Sequence, residues 1–461
     1  MIFNEFRFLF LFLPIVAVIF FLPIFRCWRI SLLLISSLYF YSLSGLEHLA
    51  TLMFGVIWVY LLTRSTLIVG NRLLLVLAIS GPSIALIYYK YSAFILNDLL
   101  KFNVNKHNEI FSLFENIILP VGISFFTFQM IAFAIDRYKG EIKEMPAINK
   151  LGLYISFFPQ LVAGPILRYN NIAQYLNNLR NFSINKKDLT IALSFIIFGL
   201  ASKVLLADNL GFYVSWFVKS PENLRIIDAL YVVFGYSMQI YFDFYGYSMI
   251  AIGIGRLFGF QFPNNFLRPY ETLNPRDFWR RWHITLSFWI RDYLYKPLGG
   301  NLRYIRNILI VFTICGLWHG AGWTFIIWGL YHAFLVLLYN KTHKWWDKIP
   351  SLIQFIMNFS LVSLGWVFFI FEPNKIYIFL CSLFGFSDGQ AEWFTGIIFV
   401  EGLGILMVSI CVCFFVNFER LILKNDWHPI VLRIYSVGLG ALFVLSLLFV
   451  DGSNDFIYFR F

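Results

Sequence analysis

"NILIVFTICGLWHGAGWTFIIWGLYHAFLVLL", residues 307–338, is an apolar run interrupted near its middle by Gly316, Gly320 and Gly322 around His319. At ~1.5 Å per helical residue it is too long for one upright crossing of a ~30 Å hydrocarbon core and too short for two. Whether it crosses or turns back decides how the chain folds. The basic residues that follow, Lys341 to Lys348, face the cytoplasm if the run is broken or re-entrant and face outward if it crosses once. The excess of lysine and arginine expected in cytoplasmic loops therefore favours the break.

The rest of the chain has the same character. Of its 461 residues 59% are hydrophobic and 13% charged, and the mean hydropathy is +0.72, which excludes an ordinary soluble domain. Apolar runs at about 6–25, 30–46, 48–63, 73–96, 111–135, 189–217, 227–255, 350–371, 392–416 and 430–450 are each read as a span, with 374–386 undecided. The expected fold is all-α: a polytopic membrane protein of roughly 10–12 transmembrane helices, with re-entrant and interfacial helices around a central tunnel. The first run carries Glu5 beside Arg7 at its start and lacks a small-x-small cleavage site, so it is read as a span and not as a signal peptide.

Charge supplies orientation. Arg26 with Arg29, and Arg64 with Arg72, lie in loops two spans apart and so share the cytoplasmic side, to which Arg137, Lys139, Lys143 and Lys150 return the chain. The net charge of +11 thus reports topology, and a nucleic-acid partner is excluded. Residues 151–169, "LGLYISFFPQLVAGPILRY", hold Pro159, Gly164 and Pro165 in a barely sufficient length and read as re-entrant. Irregular backbone at membrane depth needs protein or a water-filled cavity around it, so this piece is expected to line an internal space.

Among seven histidines, His48, His107, His343 and His428 fall in or near predicted loops, where a solvated role is the default. His319 lies about 12 residues, or ~18 Å, into its run. An ionisable group at that depth marks a functional pathway by default. A desolvated imidazole stays neutral and keeps a ring nitrogen able to accept a proton near pH 7, which suits a general base. A structural histidine bonded to a neighbouring helix is the competing reading. His332, 13 residues on, would lie about 220° away on a continuous helix and is read as a packing or hydrogen-bonding residue. Asp243 with Gln239 one turn earlier, in "MQIYFDFYGYS", either orients a base or bonds tyrosine hydroxyls.

A second motif, "FWRRWHITLSFWIRDYLYKPLGGN" at 278–301, joins His283 to an unusual density of tryptophan and arginine. Between residues 276 and 306 seven cations (Arg276, Arg280, Arg281, Arg291, Lys296, Arg303, Arg306) meet only Asp277 and Asp292. Guanidinium forks suit phosphates, so a nucleotide-bearing donor such as coenzyme A would be held here with its thioester directed inward. Anionic lipid headgroups would satisfy the same charge. The five cysteines show no CxxC spacing and are read as packing residues, so no metal site is expected. Nucleophile elbows, phosphate-binding glycine loops and HExxH helices are absent.

"FPQLVAGPILRY", "YFDFYGYSMIAIGIGRLFGF", the 278–301 motif, "LWHGAGWTFIIWGLYH" and the closing "FIYFRF" together resemble the membrane-bound O-acyltransferase family, in its bacterial branch that O-acetylates alginate or peptidoglycan. The resemblance runs from about Leu119 to the C-terminus. It implies one domain, with N-terminal spans in 1–110, a catalytic core in 111–340 and C-terminal spans in 341–461. It further implies His319 as catalytic base with His283 as its auxiliary, Arg280, Arg281, Trp282 and Trp318 at the donor, and Asp243 and Gln239 in support. The family often places a serine and an acid where this chain has Tyr245 and Met249, so no acid acts at position 249.

The implied reaction takes acetyl from a cytoplasmic thioester, acetyl-CoA, with no bound cofactor. The implied setting is the bacterial inner membrane, with a periplasmic SGNH-type transferase as partner. Heavy use of phenylalanine, isoleucine and asparagine points to an AT-rich genome and so to peptidoglycan before alginate; D-alanyl transfer to teichoic acid is disfavoured because that branch is usually shorter. A polar-metabolite transporter or flippase is the alternative of another class, but it calls for paired inverted repeats, which are not found. A non-catalytic scaffold is the third reading.

Overall fold

The computed structural model describes residues 3–100, 117–162, 164–387, 397–424, 429–450 and 456–457. Helices connected by turns make up the described chain. Seven of them are long and apolar enough to cross a membrane: Pro23–Ser42, Leu46–Thr63, Arg72–Leu99, Lys186–Val218, Trp323–Trp346, Ser351–Ile370 and Ile430–Leu448. The protein is thus all-α and polytopic. Among the described residues, other expected spans are shorter or more polar. Arg7–Phe21 and Val400–Phe415 are brief, Ile123–Tyr138 and Tyr304–His319 have 16 residues each, and Ile226–Leu257 carries Asp228, Asp243 and Arg256. The uncertain 374–386 piece forms an eleven-residue helix, Pro373–Leu383.

Two compact units arise. The first comprises Met1–Ala192 and Ala251–Pro263. Within it the irregular 151–169 segment is a broken helix, Ile148–Ser156 then Phe158–Leu161, and protein buries nearly all of its described residues. Its interrupted backbone finds side-chain partners: Ser37 Oγ accepts from the Phe158 N–H at 3.1 Å, and the Tyr154 hydroxyl donates to the Leu167 carbonyl at 2.8 Å. Two cations assigned to loops by the sign rule are buried here instead. Arg29 donates to the carbonyls of Phe20, Leu179 and Phe182 at 3.0, 3.0 and 2.7 Å, and Arg137 to those of Thr63 and Ile142 at 3.2 and 2.6 Å. Each closes a turn by satisfying several carbonyls at once, which a buried guanidinium requires.

The second unit comprises Leu193–Ile250 and Asn264–Phe461. Within it the helical stretches 193–218 and 226–250 cross backbone to backbone at Gly199 and Gly246, where a Cβ on either would lie 2.6 Å from the other's carbonyl oxygen. Only glycine permits that approach. One turn from the crossing, Lys203 lies between Asp208 and Asp243 at 2.7 and 2.6 Å. Asp243 also accepts from the Ile457 N–H at 2.9 Å, which ties the end of the chain to this helix pair.

The 307–338 run is broken, as its glycines foretold. The Tyr304–His319 helix stops at Gly320 and the Trp323–Trp346 helix returns alongside it. Gly316 rests on the Phe325 carbonyl and Gly329 on the Phe312 carbonyl, closer than any β-carbon is tolerated. These glycines therefore serve the hairpin's own backbone. The second arm, 24 residues or ~36 Å, is long enough to span.

Candidate active site

The hairpin turn sets the position of His319. It is the last residue of its helix, 3% exposed, and its ring meets those of Trp318, Trp328 and Phe369 edge-on at centroid distances of 5.0, 5.0 and 5.3 Å. Because the helix breaks, the angular argument that separated His319 from His332 does not apply. The two lie on opposite arms with Trp328 between them, its ring 4.9 Å from that of His332. His332 is fully buried, packed by Trp279 and nearly parallel to Phe278. It is a packing residue.

His283 is brought in from a different direction. Asn274 caps the Pro275–Arg281 helix by accepting from the Asp277 N–H at 2.9 Å. The chain then turns through His283 at φ 43°, ψ 55° into the Ile284–Ile290 helix. A left-handed conformation at a residue with a β-carbon costs about 1–3 kcal/mol and collects at functional sites. The loop before it pays this back locally: Asn265 accepts from the Ile284 N–H at 2.9 Å and Leu267 N donates to the Arg281 carbonyl at 3.0 Å. The His283 Nδ1 lies 3.1 Å from Asn265 Oδ1, and the edge of its ring meets Phe244 at 4.7 Å. This link lies outside the spanning helices. Burial pushes the His283 imidazole down, so the ring is neutral at pH 7.

Both histidines line one cavity of about 300 Å³. One face of the Tyr304–His319 helix forms a wall of it, through Tyr304, Ile308, Val311, Phe312, Cys315 and His319, the three-and-four spacing of a single helical stripe. Arg276 lies beside Tyr304 at the start of that helix, about 22 Å along the axis from His319. Arg280 and Arg291 also line the cavity. The cavity is therefore largely apolar, with Arg276 near the start of the helix whose other end carries His319. Two of the cations have carboxylate partners, Arg280 with Asp277 at 2.9 Å and Arg291 with Asp292 at 2.8 Å.

The structure sorts the residues singled out above. His319, His283, Arg280 and Trp282 line the cavity; Arg281 and Trp318 do not, and Arg276 and Arg291 do. Trp318 lies between the histidines, 5.7 Å from the ring of His283. Asp243 pairs with Lys203 and Gln239 lies against Gly211; neither lines the cavity. His48 corrects a further expectation: it is 3% exposed within the Leu46–Thr63 helix, not solvated. His343 is exposed and bonds the Asn340 carbonyl at 2.9 Å, while His107 and His428 lie outside the described residues. Cys315 and Cys413 are buried and packed, but Cys27 and Cys411 are exposed.

Two residues that hold the surrounding elements in place escaped sequence reasoning. Lys203 was legible in principle, since a lysine inside the 189–217 run is an intramembrane charge. Asn265 carries no such signal, being one asparagine in a polar loop.

Comparison with known proteins bears on the chemistry. Residues 139–381 match the family described as MBOAT, membrane-bound O-acyltransferase. The peptidoglycan O-acetyltransferase of Helicobacter pylori is 34% identical over 413 residues, covering 80% of this chain and 77% of that protein. The probable alginate O-acetylase AlgI of Pseudomonas syringae is 35% identical over 404 residues, 85% of this chain and 76% of its own. The teichoic acid D-alanyltransferase of Bacillus subtilis is 31% identical over 278 residues, 56% of this chain and 70% of its own.

Proposed function

Since the chain belongs to the membrane-bound O-acyltransferase family and is an acyltransferase, we propose that it moves acetyl groups from cytoplasmic acetyl-CoA toward hydroxyls of a cell-envelope polysaccharide, peptidoglycan first. The observation that carries this reading is the single slot lined by His319, His283 and three arginines. The arginines suit the phosphates of coenzyme A, and the apolar wall suits the arm that bears the thioester. The similarity to both peptidoglycan and alginate O-acetyltransferases supports acetyl as the group transferred.

In this reading the donor carbonyl comes to rest beside His319. The acceptor oxygen attacks that carbonyl while the His319 imidazole takes the hydroxyl proton. The tetrahedral intermediate then expels the thiolate, which takes the proton back and leaves as the free thiol. General-base help of this kind contributes about 10²- to 10⁴-fold. The enclosing rings of Trp318, Trp328 and Phe369 exclude water, which would otherwise compete as nucleophile. The bacterial inner membrane is the setting, and a periplasmic SGNH-type transferase is the partner that delivers acetyl to the polymer.

The test is the base-labile ester content of cells carrying His319→Ala, with protein level checked. Loss of acetate released from purified peptidoglycan supports the reading. Unchanged acetate overturns catalysis at His319; loss from an exopolysaccharide alone moves the acceptor to that polymer. Release of D-alanine in place of acetate identifies a different acyl group.

A further inference from the structure

Asn265 makes an unusual set of bonds for a loop asparagine that is 1% exposed. Its Oδ1 is 3.1 Å from His283 Nδ1, 2.9 Å from Thr285 Oγ1 and 3.3 Å from the Thr285 backbone nitrogen. Its Nδ2 is 3.3 Å from Ser248 Oγ, and its backbone carbonyl accepts from the Ile284 N–H. The Thr285 backbone N–H can only donate, so the amide atom facing it is the oxygen, and the amide orientation is fixed. An amide oxygen can only accept. The hydrogen between it and His283 therefore belongs to Nδ1.

A neutral imidazole carries one hydrogen, and with Nδ1 protonated Nε2 holds the lone pair. We propose that Asn265 is a positioning residue that locks His283 in its Nδ1–H tautomer and so leaves the ring's lone pair on Nε2. The consequence separates the two histidines. A neutral His283 in this form has no hydrogen to offer the thioester carbonyl or the oxyanion that develops from it. The polarising hydrogen must come from another group, and His283 acts as a fixed wall of the slot beside His319. The same asparagine braces the left-handed backbone at His283 through Ile284 and Thr285, so one residue sets both the ring's protonation site and its direction.

The kinetic consequence rests on the acyl-transfer reading; the tautomer does not. Full-length protein in lipid nanodiscs, labelled with ¹⁵N-histidine, reports the tautomer directly, with His283 assigned by its disappearance in His283→Gln. An Nδ1–H signature is expected, and an Nε2–H signature overturns the proposal whatever the enzyme's activity. Kinetics form the second arm. Asn265→Asp keeps an accepting oxygen opposite Nδ1 and is expected to retain turnover, while Asn265→Leu lowers kcat about 10²- to 10⁴-fold with KM for the thioester little changed. Thr285→Val removes another donor from the same oxygen without touching the ring and should stay near wild type. Equal losses in the Leu and Asp variants, or a Val variant as impaired as Leu, make Asn265 merely structural and overturn the proposal. Wild-type protein that transfers no acyl group while showing the Nδ1–H signature refutes the acyl-transfer reading alone.

Discussion

Lys203 Nζ lies 2.6 Å from Asp243 Oδ1, with both side chains at most 3% exposed. Removing one partner from such a pair leaves an uncompensated buried charge, at a cost of about 3–5 kcal/mol. Lys203→Met should therefore lower the thermal midpoint of the detergent-solubilised protein sharply. Asp243→Asn, which keeps an acceptor for the Ile457 N–H and leaves Asp208 to balance the lysine, should lower it less.

The hairpin makes a prediction with an internal control. Gly316 has no room for a β-carbon against the Phe325 carbonyl, whereas one at Gly322 meets only Phe325 at 3.6 Å, on extended backbone. Gly316→Ala should force the arms apart, reducing both folded yield and transfer. Gly322→Ala should change stability by no more than about 0.5 kcal/mol. Comparable size-exclusion profiles and melting curves for the two variants would refute the packing argument.

His319 and His332 flank the same tryptophan, yet only His319 lines the slot. His319→Ala should abolish measurable transfer while the protein still folds. His332→Leu should leave turnover in place at a stability cost below about 1.5 kcal/mol, the range of volume-conserving core swaps. A His332→Leu variant that folds but transfers nothing would assign chemistry to the wrong arm.

Donor recognition separates the arginines. Arg276 and Arg280 line the slot and Arg281 does not. The Arg276→Ala/Arg280→Ala double variant should raise KM for acetyl-CoA and weaken its dependence on salt. Arg281→Ala should raise KM less. Initial rates over a range of ionic strength decide the matter, and an Arg281 effect as large as the double variant's would place the phosphates elsewhere.

Much of this arrangement could be read from residue order. The apolar runs located the helices because lipid demands internally satisfied backbone, and the glycines around His319 marked the turn, Gly316 because no other residue there allows the two arms to touch. The two histidines that line the slot were visible as a histidine deep in an apolar run and a second one among arginines. What could not be read depends on contacts distant in sequence. Arg29 and Arg137 look like loop cations until the carbonyls that surround them are known. His48 sits at a helix start that sequence places in a loop. Asn265 gains its role only when the chain brings it against a residue 18 positions later, and the 220° between His319 and His332 held only for an unbroken helix.

The glycine crossing has a mechanical consequence. Contact of bare backbone at Gly199 and Gly246, with the lysine–carboxylate pair a turn away, pins these two helices at neighbouring points and resists both sliding and rotation. Such a joint behaves as a rivet. Whatever yielding a catalytic cycle asks of this half of the molecule must come from parts without one.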